Sequence, residues 1–151
     1  MTIVIVDTSI LLNILDVPGK NERRDEIRRE FASLVKDQRT ELLLPLVAVV
    51  ETGNHIAQLD HGQLRRARGQ RLVEIVRQAL RGEAPWVLVP FPEREDLEKL
   101  LDGLADRLVS SIGFADASMI AIGEREKRRW PKRPVRIWSL DGQLAAYDHR
   151  P

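Results

Sequence analysis

IVIVDTSILLNIL, residues 3–15, decides how the rest of the chain is read. Isoleucine and valine fill 3–6 without a polar break, the pattern of a strand buried on both faces beneath two layers of helix. The next residue is an aspartate, Asp7, inside a stretch otherwise suited to a core. A buried carboxylate is costly unless it is paired, hydrogen-bonded or bound to a cation. One explanation is that Asp7 caps a short helix starting at Thr8. The other is that it belongs to a site.

Working outward, DVPGKN at 16–21 reads as a turn. A charged amphipathic helix follows over about 22–38, with Ile27, Phe31, Leu34 and Val35 on its inner stripe. ELLL at 41–44 reads as a second strand, and Pro45 leads into a helix over LVAVVETGNHIAQL, 46–59. A further amphipathic helix covers about 63–81 and ends at Gly82. WVLV at 86–89 is a strand between prolines, and 93–108 and 113–129 are helical. VRIW at 135–138 is the last strand, followed by SLDGQLAAY. Strands alternating with helices predict βαβ units, hence an α/β fold with a mainly parallel sheet and helices on both faces. No repeat or linker divides the 151 residues, so a single domain spanning 1–151 is expected.

Composition narrows the classes. The chain is 43% hydrophobic and 31% charged, as globular proteins are, and it has no cysteine. Disulfides and thiolate metal sites are thereby excluded, and a reducing, cytoplasmic setting is expected. No signal segment is evident at the start, and the apolar run LLLPLVAVV at 42–50 is too short for a bilayer, so no membrane association is expected. Net charge is only +1. Basic residues cluster, however, at Arg65, Arg66, Arg68 and Arg71, and again at Arg125, Lys127, Arg128, Arg129, Lys132 and Arg133. They read either as solvated helix faces and ends or as grips for a phosphate backbone. With three Trp, three Phe and one Tyr, a base-stacking platform is not favoured.

Four acids stand apart from the charged stretches. Asp7 ends the first strand, Glu51 follows LVAVV, Asp116 shares a helical stripe with Ile112, Met119 and Ile120, and Asp141 follows the last strand. Each has an ordinary explanation: a helix cap for Asp7, a turn for Asp141-Gly142, pairing with arginine for Glu51 and Asp116. Together they point elsewhere. Asp7 and Asp141 both follow parallel strands, and the carboxyl ends of strands are where open α/β sheets bind ligands. Carboxylates gathered there repel one another, and a hard divalent cation, Mg²⁺ or Mn²⁺, relieves that repulsion. Such a site suits phosphodiester hydrolysis.

Neighbouring residues can support it. Ser9 lies two after Asp7 and Ser139 two before Asp141, so either hydroxyl can orient a carboxylate. Asn13 is one helical turn beyond Ser9 on the same face. Asn54 and His55 share a face with Glu51, where His55 is either a metal ligand or a hydrogen-bonded helix histidine. Ser118 and Asp148 are lesser candidates.

DTS at 7–9, VVETGNH at 49–55, FADASMIA at 114–121 and WSLDGQL at 138–144 form an ordered set over essentially the whole chain. This set resembles the acid motifs of the PIN-domain family of small metal-dependent ribonucleases. The resemblance implies a three-layer α/β/α fold around a short, mainly parallel sheet of about five strands. It implies Mg²⁺ or Mn²⁺ held by Asp7, Asp116 and Asp141 with Glu51, and hydrolysis of RNA. Single-domain members of this length are often VapC-type toxins of toxin–antitoxin pairs, which implies a homodimer neutralised by a small antitoxin.

Other enzymes fit less well. A haloacid-dehalogenase-type phosphatase wants a second aspartate where Ser9 stands. No GxG and no GxxxxGK occurs, which removes dinucleotide-binding and P-loop readings. The rival from another class is a non-catalytic PIN-like module that binds RNA or protein, distinguished by its indifference to metal.

Overall fold

The computed structural model describes residues 1–151. Four strands, β1 (Thr2–Val6), β2 (Thr40–Pro45), β3 (Trp86–Val89) and β4 (Val135–Trp138), form one sheet in the order β3-β2-β1-β4, every pair parallel. This is one strand fewer than the PIN resemblance implies. The segment after β4 adds only an isolated antiparallel bridge, Val135 with His149. β1 is central, and Ile3, Val4, Ile5 and Val6 are each no more than 1% exposed. Burying such side chains is worth about 1.5–3 kcal/mol each.

Helices α1 (Thr8–Ile14) and α2 (Arg24–Lys36) join β1 to β2, and α3 (Leu46–Ala57) and α4 (Gly62–Leu80) join β2 to β3. Then come α5 (Arg94–Asp102), α6 (Leu104–Val109) and α7 (Phe114–Arg129), with the short α8 (Gly142–Ala145) after β4. The helix expected over 93–108 is broken at Gly103, whose φ of −108° and ψ of 0° leave the helical region.

The parity of the strands sorts the layers. Val4 is in register with Leu42 and Arg136, and Leu42 with Trp86. On that face α2 docks, with Phe31 stacked on Trp86 at 5.3 Å between ring centroids and Glu30 paired with Arg136 at 2.7 Å. Ile5 and Ile137 point to the other face, beneath Gly123 of α7. The result is the expected α/β/α sandwich.

The order of the strands fixes where a site can form. The chain builds β1, β2 and β3 in one direction, then crosses back over β1 to place β4 on its far side. The direction of winding therefore reverses between β1 and β4, and a crevice opens beyond their carboxyl ends. Asp7 and Ser139 are the first residues past that pair of strands, with the Asp7 N–H bonded to Trp138 O at 3.0 Å.

Candidate active site at the carboxyl edge of the sheet

Asp7 stands at the N-cap position of α1 but makes no side-chain cap bond there. Its carboxylate is held from the side instead. Ser9 and Ser139 both donate their hydroxyl protons to Asp7 Oδ2, at 2.9 and 2.7 Å. With both protons so placed, the 3.4 Å approach of the two hydroxyl oxygens is a contact rather than a bond. The serine oxygens in turn accept the backbone N–H groups of Leu140 and Asp141, at 3.0 and 2.9 Å. The loop after β4 is thus fastened to the start of α1. Asp7 is 6% exposed and has no cationic partner, and Oδ1 receives no protein donor.

Glu51, on the second turn of α3, is reached by the hydroxyl of Thr8, which donates to Oε1 at 2.8 Å. Thr8 was not among the residues singled out from the sequence. Its partner lies 43 residues away on another helix, so local spacing gives no signal for it. Asp116 lies in the first turn of α7, and burial pushes its carboxyl up from its ordinary value, with further upward contributions from Asp7, Asp141 and Glu51. Carboxylates placed by the end of β1, by α3 and by the loop after β4 therefore all act on Asp116 in α7. None of the four acids forms an ion pair with a lysine, arginine or histidine.

The remaining candidates divide. Asp141 is exposed and its Oδ1 caps α8 by accepting from Gln143 N at 3.0 Å, so the turn explanation holds for one of its oxygens. Asn13 does not reach a carboxylate. It donates to Ser9 O and accepts from Arg23 N, fastening the start of α1 to the start of α2. Asn54 is exposed, and neither it nor His55 bonds to any of the four acids. Ser118 bonds back to Phe114 O within α7, and Asp148 accepts from Ile137 N, both structural roles.

In the first basic cluster three of the four arginines are tied to main-chain carbonyls of the fold. Arg68 and Arg71 reach across from α4, and Arg28 from α2, to the carbonyls of Ile14, Leu15 and Asp16 at the end of α1. There they satisfy the open end of that helix. Arg65 is bonded to Leu59 O. The second cluster sits at the far end of α7, with Arg129 about 20 Å along the helix axis from Asp116.

A hard cation fits the donors of the crevice. All are oxygens, they are mutually repulsive, and no basic side chain neutralises them. The carboxylates line the crevice without closing into a cage, since no three acidic or histidine side chains are placed to hold one ion together.

No protein-family model and no curated protein sequence matches the chain. Solved structures do resemble it. One is VapC20 of Mycobacterium tuberculosis, described as a sarcin-ricin-loop-cleaving toxin (14% identity, TM-score 0.66, 95% of this chain and 93% of that one). Another is FitAcB from Neisseria gonorrhoeae (18% identity, TM-score 0.63, 95% and 91%). A third is VapBC2 from Rickettsia felis, bound to a DNA fragment from its promoter (13% identity, TM-score 0.54, 91% and 100%). The chain shares the PIN-like α/β fold of these structures. No helix is long and apolar enough to cross a membrane.

Proposed function

We propose that the chain is a metal-dependent endoribonuclease that hydrolyses RNA phosphodiester bonds, acting as the toxin of a type II toxin–antitoxin pair. The observation that carries this is the convergence of four carboxylates, free of ion pairs, on the crevice between β1 and β4. Asp7, Asp116 and Asp141, with Glu51 completing the acidic set, would hold Mg²⁺ or Mn²⁺ once the cation draws them together, with water or RNA phosphate oxygens as the remaining ligands. When bound, the cation supplies charge compensation for the carboxylates and a Lewis acid for attack at phosphorus.

The residues of the chain prepare the site for that. Ser9 and Ser139 fix one oxygen of Asp7 and leave the other without a protein donor. Thr8 fixes one oxygen of Glu51 in the same way. In hydrolysis a water adds to phosphorus, its proton passes to a carboxylate of the crevice, and that proton is passed on to the ester oxygen as its bond to phosphorus breaks. The likeness to FitAB and VapBC2, toxin–antitoxin proteins, supports a small antitoxin as the partner. Leu101 on α5 and Leu108 and Val109 on α6 are exposed, and covering them supports a second copy as partner in a homodimer.

The test is incubation with structured and unstructured RNAs in Mn²⁺, Mg²⁺ or EDTA, beside Asp7→Asn and Asp116→Asn. Metal-dependent cleavage lost in both variants supports the nuclease. Absence of cleavage together with absence of any metal-induced thermal shift sinks it in favour of a non-catalytic module.

A further inference from the structure

We propose that the amino-terminal edge of the sheet is a second nucleic-acid contact, a docking surface for the phosphodiester backbone of RNA separate from the acidic crevice. The backbone brings the cations there together. Thr2 N bonds to Arg39 O at 2.7 Å, Ile3 N to Pro134 O at 2.9 Å, and Val135 pairs with His149. Arg39, Arg133 and Arg150 therefore lie at the ends of neighbouring chain segments. Strand spacing puts Arg39 and Arg150 about 14 Å apart, with Arg133 between them. Arg129 and Lys132 stand beside this row at the end of α7.

These cations are available. Arg39, Arg129, Lys132 and Arg150 are exposed, and none forms an ion pair. Asp37, the acid beside Arg39, is occupied by the Arg39 backbone N–H and the Thr40 hydroxyl. Glu41 reaches only Arg133, at 3.9 Å. A solvated helix end does not explain the arrangement, because the residues come from three separate parts of the chain.

Trp130 adds order. The Arg133 guanidinium lies 3.8 Å from its ring centroid and that of Arg129 5.3 Å. Stacking holds a guanidinium by its face and leaves its in-plane N–H groups free for phosphate oxygens. It also removes side-chain freedom that binding would otherwise have to remove. Four of the five cations are arginines, whose planar fork suits bidentate contact with phosphodiester oxygens.

The choice of RNA as the polyanion rests on the function proposed above. Its geometry adds something: the row lies one strand length from the crevice, so an RNA that engages both must be folded or long enough to wrap the domain.

The experiment measures binding of a labelled RNA hairpin in EDTA, across salt concentrations, for the wild type and for Arg39→Glu/Lys132→Glu/Arg150→Glu. These three side chains are exposed and form no ion pair, so the fold should survive, which an unchanged circular-dichroism spectrum and cooperative melting without metal check. The expected result is affinity lowered roughly tenfold or more, with a slope of log affinity against log salt shallower by about 2 to 3. Equal affinity and slope in both proteins overturns the proposal. So does failure of the wild type to bind RNA. Because binding is read without metal, absence of nuclease activity would count against the enzyme alone and leave this result standing.

Discussion

The hydroxyl of Thr8 donates to Glu51 Oε1 at 2.8 Å across 43 residues of chain, and it is the one side-chain bond that ties the β1–α1 junction to α3 at the crevice. The partner is a carboxylate, and hydrogen bonds to charged groups are worth about 1.5–3 kcal/mol. Thr8→Val removes the donor and keeps the branched shape. RNA cleavage in Mn²⁺ should fall by roughly 10–100-fold, with weaker metal stabilisation, as for other partners that orient a metal-site ligand. Thr8→Ser should retain most activity. Equal activity in wild type and Thr8→Val would show that Glu51 needs no such support.

Asp116 gives the crevice a pH signature. Its folded pKa is raised, first by burial and then by Asp7, Asp141 and Glu51. The folded protein thus holds this proton more tightly than the unfolded chain does. The associated stability is fully present below the unfolded value, about pH 4, and is lost as pH rises through the folded value. In EDTA, Asp116→Asn should remove this loss, making the variant the more stable protein at neutral pH. Divalent metal should stabilise the wild type there and leave the variant unmoved. Thermal melts from pH 4 to 8 with and without Mn²⁺ read both effects.

Much of this site could be read in the sequence, and the misses have a common cause. IVIV at 3–6 had to be a strand buried on both faces, and an acid at its end had to be explained. Local spacing is a poor guide where tertiary contacts compete. Ser139 sits two residues from Asp141, yet its hydroxyl proton goes to Asp7, because β4 packs beside β1 and brings the two loops together. Thr8 was invisible for the same reason: its partner is on another helix. Arg68 and Arg71 looked like a surface cluster, but their guanidinium groups reach from α4 to the open carbonyls at the end of α1. Asn13 shares a face with Ser9 as expected, but that face at Asn13 meets α2 rather than the crevice.

Asp16, just after α1, has φ of 56°, a conformation that asparagine and aspartate tolerate better than most residues. Its carboxylate accepts from Asn21 at 2.6 Å and from Arg24 at 3.0 Å, and Arg68 lies 3.5 Å away. The Asn21 bond is the largest cause holding its pKa below the ordinary value, and the two arginines add to it against some desolvation. The stability it contributes is present above about pH 4 and is lost as pH falls through the lowered folded value. Asp16→Asn keeps the backbone conformation and removes the charge. It should cost about 1 kcal/mol at pH 7 and nothing once both proteins are well below the folded pKa. Denaturant titrations at pH 7 and at strongly acid pH make the comparison. A constant difference between the two would assign the effect to shape instead of charge.

Gly123 lies inside α7, where glycine is less favourable than alanine by about 0.5–1 kcal/mol. A glycine retained inside a helix usually answers to a close neighbour, and here α7 lies directly on the sheet. A Cβ at this position would meet Ile5 Cδ1 at 3.7 Å and Ile137 Cδ1 at 3.8 Å, which is ordinary van der Waals contact. Alanine therefore has room, and its methyl group would touch the two isoleucines without displacing them. Gly123→Ala should raise stability by about the helix-propensity difference. Gly123→Leu should lower it by about 1–3 kcal/mol, because the larger side chain must push α7 off β1 and β4. The second substitution carries a functional consequence that the first lacks. Asp116 is on the same helix, so lifting α7 from the sheet withdraws that carboxylate from Asp7, and metal stabilisation should weaken in the leucine variant but not in the alanine one. Melts of both variants with and without Mn²⁺ decide the matter: a destabilised alanine variant would mean that α7 packs closer to the sheet than these distances allow.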